Sequence, residues 1–211
     1  MDLLNELITA LSIGRVNEVK RLTEQALTAG VFPLDIINKG LIAGMEGIAV
    51  RFKNNEVFVP EVMLAARAMQ AGLAILKPLL VGSGHEPVGR VIIGTVKGDQ
   101  HDIGKNLVAM MLEGAGFEVV DLGSNVPSEK FITAVKEDKP QILALSALLT
   151  TTMPEMANII KNLEAADLRS KIKVIIGGAP VSQSYADKIG ADGYAPDAGK
   201  AVEVAKSLLS N

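Results

Sequence analysis

The stretch from Val91 to Gly114 reads VIIGTVKGDQHDIGKNLVAMMLEG, and it decides the fold class of the chain. It opens with a short run rich in β-branched residues, passes through a polar turn, and ends in a helical pattern from Ile103 to Gly114. A strand, a tight turn and a helix in this order form the repeating unit of a parallel α/β sheet.

The same unit recurs towards the C-terminus. Further strands are predicted at Phe117–Asp121, Ile142–Ser146, 174–176 and 193–194, each followed by a helix, most clearly at Ser128–Glu137 and Pro154–Ala166. These strands are apolar throughout rather than alternating, which is typical of burial on both faces. We therefore expect a five-stranded parallel sheet of the flavodoxin-like (Rossmann-like) kind.

The first 80 or so residues show apolar residues at helical spacing instead. Two helices are predicted before Gly30, a third begins at Pro33, and a fourth runs from Glu61 to about Leu76, with Pro78 just beyond its end. Four helices with short links predict a bundle. The fold class is therefore α then α/β, with a bundle domain over 1–84, a linker with a hinge at 82–84, and an α/β domain over 88–211.

Composition excludes several classes of function. The 21 basic and 24 acidic residues are well mixed and aromatic residues make up 3%, so no nucleic-acid surface is expected. Charged residues, proline or glycine interrupt the apolar runs before the roughly 18 residues of a membrane span. Asp2 and Glu6 are unlike a secretory signal, so we expect a cytoplasmic protein without membrane contact. Because cysteine is absent, a metal must be held by histidine, by carboxylates or inside a cofactor.

A site is expected where the strand order of the sheet reverses. In an open parallel sheet, ligands bind there, beyond the carboxyl ends of the strands. For a flavodoxin-like order, this point lies between the first and third strands. The turn Val96–Lys105, the strand end Leu145–Thr152 and the turn Gly177–Pro180 are therefore expected to converge.

His101 stands at the strand–helix junction of the first turn, with Asp99 two residues before it. A carboxylate at that distance can accept a proton from one imidazole nitrogen and leave the other as a basic ligand. Ser146, across the reversal point, is expected to extend this hydrogen-bond chain. Gly98 and Gly104 allow something bulky to approach the backbone. In the alternative interpretation, His101 only caps the helix and Asp99 is a turn residue.

Other catalytic motifs do not match this turn. It lacks Gly-x-Gly-x-x-Gly for a dinucleotide and Gly-Lys-Ser/Thr for a nucleotide phosphate. Ser146 stands in no Gly-x-Ser-x-Gly elbow, which argues against a hydrolase triad. A receiver domain would need a phosphoacceptor Asp where Ser146 stands. Two histidines without cysteine argue against a conventional zinc site.

A three-part spacing resembles the signature of base-off, His-on cobalamin-binding domains. It consists of Asp99-x-His101-x-x-Gly104, then 41 residues to Ser146-x-Leu148, then 28 residues to Gly177-Gly178. The N-terminal half, with Gly40-Leu-Ile-Ala-Gly-Met-Glu-Gly and the stretch from Glu56 to Met69, is similar to the helical cap of methionine synthase and of small corrinoid proteins. The resemblance covers essentially the whole chain. It implies that 1–84 is a cap domain and 88–211 a cobalamin-binding domain.

The resemblance also implies roles for individual residues. His101 would bind the cobalt of cobalamin from below as the metal ligand, with Asp99 and Ser146 tuning its basicity. The nucleotide tail would lie between strands one and three, where Gly94, Ala144 and Ser146 are expected to leave room. Phe58 and the Met63–Met69 stretch match the cap over the upper face, and in the alternative interpretation Phe58, Met63 and Met69 are plain bundle core. The implied cofactor contacts in the α/β domain are Gly98, Asp99, Gln100, His101, Asp102, Ile103, Gly104, Ser146, Leu148, Thr150, Thr151, Gly177, Gly178, Ala179, Tyr194 and Ala195.

The function implied by the resemblance is that of a methyl carrier, alternating between methylcobalamin and cob(I)alamin. Such proteins resemble each other across methylamine, methanol, betaine and aryl methyl ether systems of anaerobic one-carbon metabolism, and alone they are not catalytic. The implied partners are a substrate-specific methyltransferase, an acceptor methyltransferase using tetrahydrofolate or a thiol, and a reductive activase. Two alternatives stay open, the small subunit of an adenosylcobalamin-dependent mutase and a cobalamin-sensing regulator.

Overall fold

The computed structural model describes residues 3–80 and 87–210. The chain divides into two compact units, one formed mainly by residues before Val88 and the other mainly by residues from Val88 onward. The hinge predicted at 82–84 lies outside the described residues, as does the linker predicted at 81–87 except for Pro87.

The first unit is helical. It contains α1 (Leu3–Ser12), α2 (Val16–Thr28), α3 (Pro33–Ile36), a π-helical segment (Ile37–Ile42), α4 (Ala43–Lys53) and α5 (Val59–Leu80). Because α3, the π-helical segment and α4 follow one another without a break, they correspond to the third predicted helix. The predicted four-helix bundle is confirmed. Its core is formed by the apolar residues that set the helical spacing, among them Leu7, Leu11, Val19 and Leu22, all buried.

Two glycines allow close packing between α1 and the third helical segment. A Cβ atom at Gly40 would lie 2.7 Å from Cδ2 of Leu7, and one at Gly44 would lie 3.0 Å from Cδ2 of Leu11. The two leucines are four residues apart and therefore share one face of α1. The small residues of the Gly40–Gly44 stretch are thus explained by helix packing.

Helix α5 is longer than predicted. It begins at Val59 and continues to Leu80, so Pro78 lies inside the helix, and the prediction that it follows the helix end is wrong. A proline removes one backbone hydrogen bond from a helix. At Pro78 the missing N–H is the one that would donate to the carbonyl of Ala74.

Helix α5 also contains an 18-residue stretch, Val59–Leu76, that is long and apolar enough to cross a membrane by length and composition, with a mean hydropathy of 1.3. The stretch contains the expected interruptions at Pro60, Glu61, Arg67 and Gly72, and its mean hydropathy meets the criterion in spite of them. One such helix is weak evidence for a membrane span, because a core helix meets the same criterion. Here Val62 and Met69 are buried, and α5 packs against α2 within the bundle.

The second unit contains a parallel five-stranded sheet in the order β2-β1-β3-β4-β5. The strands are β1 (Arg90–Thr95), β2 (Glu118–Asp121), β3 (Ile142–Ser146), β4 (Lys173–Gly177) and β5 (Gly193–Ala195). The helices are α6 (Ile103–Gly114), α7 (Ser128–Asp138), α8 (Pro154–Ala165), α9 (Gln183–Ile189) and α10 (Ala198–Leu209), with a 3-10 turn at Arg169–Lys171. This is the predicted flavodoxin-like order, and its reversal lies between β1 and β3.

One face of the sheet packs into a large apolar cluster with α7 and α8, which includes Phe131 and Met156. The central strands are buried almost throughout, as expected, whereas the edge strand β2 is only partly buried. A Cβ atom at Gly94 would lie 2.7 Å from the Phe131 ring. The expectation that Gly94 leaves room for a cofactor is therefore wrong, because its small size serves core packing.

The carboxyl ends of four strands lie in one row across the sheet. Thr95 is in register with Ser146, Ser146 with Gly177, and Gly177 with Ala195. Three of these four residues are among the expected cofactor contacts. The sheet register therefore brings Ser146, Gly177 and Ala195 to one edge, at the end where ligands of such sheets bind.

Candidate functional site

The turn between β1 and α6 carries His101 and has a sharply defined backbone. Gly98 adopts a left-handed conformation with φ of +82°, which favours glycine. The hydroxyl of Thr95, which is fully buried at the end of β1, donates to the carbonyl of His101 at 2.9 Å. The main chain on both sides of the histidine is therefore held by local contacts.

Asp99 is the buried anchor of this turn. Its side chain is fully buried and accepts five hydrogen bonds. Oδ1 accepts from the backbone N–H of His101 at 3.1 Å and is 2.8 Å from Nδ1 of the same residue. Oδ2 accepts from the backbone N–H groups of Leu148 (2.7 Å) and Leu149 (3.2 Å) and from the hydroxyl of Thr152 (2.8 Å). The carboxylate therefore joins the His101 turn to the β3–α8 turn.

These hydrogen bonds decide the charge state of Asp99. Burial by itself raises the pKa of a carboxyl group, because it disfavours the charged form. The hydrogen bonds from His101, Leu148 and Thr152 outweigh burial and hold the pKa of Asp99 well below its usual range. Asp99 is therefore ionised at neutral pH and acts only as an acceptor.

The His101 ring is oriented by this acceptor. Because ionised Asp99 cannot donate, the proton of the neutral imidazole lies on Nδ1, between the two residues. Nε2 then keeps its lone pair and is available as a ligand. The side chain is 52% exposed, in contrast to its buried partner. The predicted Asp99–His101 hydrogen bond is confirmed, and the other ring nitrogen has no hydrogen-bond partner among residues 3–80 and 87–210.

The hydrogen-bond chain does not continue through Ser146. In the part of the chain that the structure describes, the hydroxyl next to Asp99 belongs to Thr152 instead. The physical reason is position, since Ser146 still belongs to β3, whereas the carboxylate reaches beyond the strand end into the following turn. The expectation for Ser146 as a hydrogen-bond partner is wrong, and its contact with a cofactor stays a prediction.

Some of the remaining expected contacts are packed against other parts of the α/β unit, and the others are exposed in or beside the turns. Gly178, with φ of +127°, lies so close to β3 that a Cβ atom would be 1.9 Å from the carbonyl oxygen of Ala147. The Tyr194 side chain packs against the core cluster on one face of β5. The side chain of its neighbour Ala195 points to the opposite face, because successive residues of a strand alternate. The exposed members of the set, in or beside the turns, are Gln100, Ile103, Gly104, Leu148, Thr150, Thr151 and Ala179, while Asp102 is half-buried.

Phe58 lies directly before α5 and Met63 in its first turns, and both side chains are exposed. The alternative that they are plain bundle core is therefore wrong. Their contact with a cofactor stays a prediction.

A second ion pair next to the site was missed by the sequence analysis. Lys105, in the first turn of α6, is buried, and its ammonium group contacts the carboxylate of Asp121 and the Asn106 side chain at 2.6 Å. Lysine is rarely buried without a partner. No local pattern marked Asp121, because it lies 16 residues away at the end of β2.

Metal binding by the protein alone is not supported. Within residues 3–80 and 87–210, no group of three or more histidine, aspartate or glutamate side chains is arranged to hold a metal ion. A single exposed imidazole instead suits a metal that a cofactor already holds.

Comparisons with known proteins identify that cofactor. Two family models, both described as a B12 binding domain, match residues 89–203 and residues 3–77. The dimethylamine corrinoid protein of Methanosarcina barkeri is 46% identical over 210 residues, which cover 99% of this chain and 98% of that protein. This chain belongs to the corrinoid protein family. Its cofactor is a corrinoid.

Other similar proteins are also corrinoid or cobalamin proteins. The trimethylamine corrinoid protein of Methanosarcina barkeri is 46% identical over 90% of this chain and 89% of that protein. A chain of the methanol:cobalamin methyltransferase complex from Methanosarcina barkeri has a TM-score of 0.92 and 32% identity, covering 100% of this chain and 80% of that one. A cobalamin-binding protein from Desulfitobacterium hafniense has a TM-score of 0.79 and 32% identity, covering 97% and 98%.

The residues at the site fit a corrinoid. Nε2 of His101 is available as a ligand. Three residues further on, in α6, a Cβ atom at Gly104 would meet no neighbouring protein atom within 4 Å. Ile103 is 78% exposed, and Leu148 and Leu149 are exposed in the turn that Asp99 holds. Exposed apolar side chains around one basic nitrogen are suited to a broad, largely apolar macrocycle with a metal at its centre.

Proposed function

We propose that this corrinoid protein is a methyl carrier, which receives a methyl group from a substrate-specific methyltransferase and passes it to an acceptor methyltransferase. When bound, the corrinoid supplies a cobalt ion that takes up and gives up the methyl group. The observation that carries the proposal is the Asp99–His101 pair, with its free imidazole nitrogen, in a chain whose relatives include dimethylamine and trimethylamine corrinoid proteins.

His101 is proposed as the lower axial ligand of the cobalt. Asp99 cannot turn away from the imidazole, because donors from two segments occupy both of its oxygens. It fixes the ring orientation and keeps the proton on Nδ1, so Nε2 would be the neutral donor that holds the cobalt when the corrinoid is bound. Asp99 thus acts on the metal through His101.

The nucleotide tail of the corrinoid is proposed to lie between β1 and β3, with Ser146, Gly177 and Ala195 on the sheet face beside it. These residues are small and share one row of the sheet, which supports a narrow slot there. Gly104 and Leu148 would border the slot. Phe58 and Met63 are proposed to contact the upper face, supported by their exposure in the helical unit.

The partners are proposed from the relatives. Their names support an amine or methanol system, and the solved methanol:cobalamin methyltransferase complex supports a methyltransferase partner. Tetrahydrofolate or a thiol as acceptor, a reductive activase and a cytoplasmic location belong to the same proposal. The helical unit, matched over residues 3–77, argues against a mutase small subunit.

Electron paramagnetic resonance tests the axial ligand. The protein is loaded with cobalamin, reduced to the paramagnetic cobalt(II) state, and prepared with natural or ¹⁵N-labelled histidine. A histidine ligand splits the cobalt lines into triplets with ¹⁴N and into doublets with ¹⁵N. We expect this change for the wild type and for His85→Ala, which alters the other histidine of the sequence. His101→Ala should lose the doublet while still binding cobalamin.

Triplets that persist in the wild type despite labelling would assign the nitrogen to the cofactor's own base and overturn His101 as ligand. The carrier role is tested separately. The reduced, loaded protein is mixed with methylamines or methanol and the methyltransferase encoded beside it, and the visible spectrum is followed. Methylation by none of these donors would contradict the proposal.

A further inference from the structure

The loop between β2 and α7, residues 122–127, runs beside the turn that carries His101. The backbone N–H of Gly98 donates to Oδ1 of Asn125 at 2.8 Å, and the backbone N–H of Asn125 donates to the carbonyl of Asp99 at 2.8 Å. The next residue, Val126, forms a parallel bridge with Val96. Asn125 is therefore hydrogen-bonded to the main chain of the His101 turn through both its side chain and its backbone.

The conformation of Asn125 is unusual for a residue with a side chain. Its φ is 53°, in the left-handed region, which asparagine tolerates better than most residues. The residue is exposed, so core packing does not explain it. Its two hydrogen bonds instead cross 26 to 27 residues of sequence to reach a single turn.

Further contacts hold the same two segments together. The hydroxyl of Ser124 lies 3.4 Å from Oε1 of Gln100, directly before His101. The Lys105–Asp121 ion pair joins the segment after His101 to the end of β2, where the loop begins. Asn125 is thus one of several contacts, before and after the histidine, between the loop and the turn.

We infer that Asn125 is a positioning residue for the axial histidine. The β3–α8 turn holds the side chain of Asp99, and Asn125 holds the main chain of Asp99 and of Gly98 before it. Because Asp99 orients the imidazole, fixing both ends of Asp99 fixes the place of His101. The inference rests on the proposed function, in which His101 binds the cobalt.

Asn125→Gly tests this role, because glycine keeps the left-handed backbone and removes only the side-chain acceptor. The cobalamin-loaded wild type, in the cobalt(II) state with ¹⁵N-labelled histidine, is acidified until half of it has lost the histidine doublet. Under the same conditions, Asn125→Gly should show a ratio of bound to unbound histidine that is about fivefold lower, the effect of one hydrogen bond. In the apoprotein, the Gly98 amide should exchange with solvent faster than in the wild type.

Two further variants are the controls. Asp167→Gly removes another exposed side chain with a left-handed backbone, at the end of α8, and should leave both measurements unchanged. Asn125→Asp restores an acceptor and should return the Gly98 exchange rate towards the wild-type value. A wild type without any histidine doublet would refute the proposed function itself. A wild-type doublet with an unchanged ratio in Asn125→Gly, or an equal loss in Asp167→Gly, would overturn only the positioning role.

Discussion

Two ion pairs on the same segment are built in opposite ways. In the first, the acid is buried and the base exposed, since Asp99 is fully buried and His101 is 52% exposed. In the second, four residues further on, the base is buried and the acid exposed, since the Lys105 side chain is 1% and the Asp121 side chain 39% exposed. The buried member is an anion in the first pair and a cation in the second, and the two pairs differ in what they can bind.

The difference lies in what the exposed partner has left to offer. One nitrogen of His101 is hydrogen-bonded to Asp99, and the other has no partner in the part of the chain that the structure describes. Asp121 uses one oxygen for Lys105 and the other for the backbone N–H of Gly123 at 2.8 Å. The first pair therefore presents an unused basic atom, whereas the second mainly braces α6 against β2. A half-buried ion pair becomes a binding site only when its exposed member keeps a free atom.

The largest effect is expected from Asp99→Ala. It leaves the N–H groups of Leu148 and Leu149 without their acceptor, while the hydroxyl of Thr152 keeps only the carbonyl of Leu149, so the free energy of unfolding should fall by about 3–5 kcal/mol. Urea unfolding of the apoprotein measures this, with Asp187→Ala on the exposed face of α9 as control, expected within about 0.5 kcal/mol of the wild type. A loss below about 1 kcal/mol for Asp99→Ala would mean that the two turns do not depend on this carboxylate.

Smaller losses of unfolding free energy are expected at the Lys105–Asp121 pair, and replacing the exposed Asp121 should cost more than replacing the buried Lys105. Asp121→Asn leaves a buried ammonium group without its counter-charge and should cost about 2–3 kcal/mol. Lys105→Met removes the buried charge and leaves a carboxylate that water can reach, so it should cost about 1 kcal/mol or less. The same urea titrations decide this. The reverse order would contradict the idea that the buried member sets the cost.

The last prediction concerns how the stability contribution of Asp99 changes with pH. Because the pKa of Asp99 is depressed in the folded protein, its ionised form stabilises the fold above the ordinary aspartate pKa of about 3.9. That contribution is lost as the pH falls towards the folded-state pKa. The stability difference between wild type and Asp99→Ala should therefore be constant above about pH 5 and shrink in acid, by at most about 1.4 kcal/mol per pH unit. A difference that grows in acid would show the opposite pKa shift.

Local patterns in the sequence predicted the Asp99–His101 hydrogen bond correctly. Asp99 and His101 are two residues apart in a turn between a clear strand and a clear helix, so their contact depends on little else. The strand order then brought Ser146 and Gly177 to the same edge, as the reversal point requires. Periodicity also predicted the start of α6 at Ile103 and of α8 at Pro154.

The supporting residues could not be predicted in this way. Which hydroxyl among Ser146, Thr150, Thr151 and Thr152 reaches Asp99 depends on how the β3–α8 turn folds back, and four similar side chains give no local signal. Asn125 and Lys105 contact their partners across long stretches of sequence, and each resembles an ordinary surface residue. These contacts are decided by tertiary packing, which periodicity does not contain.

The support of the His101 turn from three directions limits how the motif can be transplanted. A designer who grafts Asp99–Gly104 onto another strand–helix junction moves the carboxylate without Leu148 and Thr152, which saturate it, and without Asn125. Such a graft would contain a buried anion with empty lone pairs, and its imidazole would swing freely. The smallest portable piece that includes every one of these partners runs from Arg90 to Thr152.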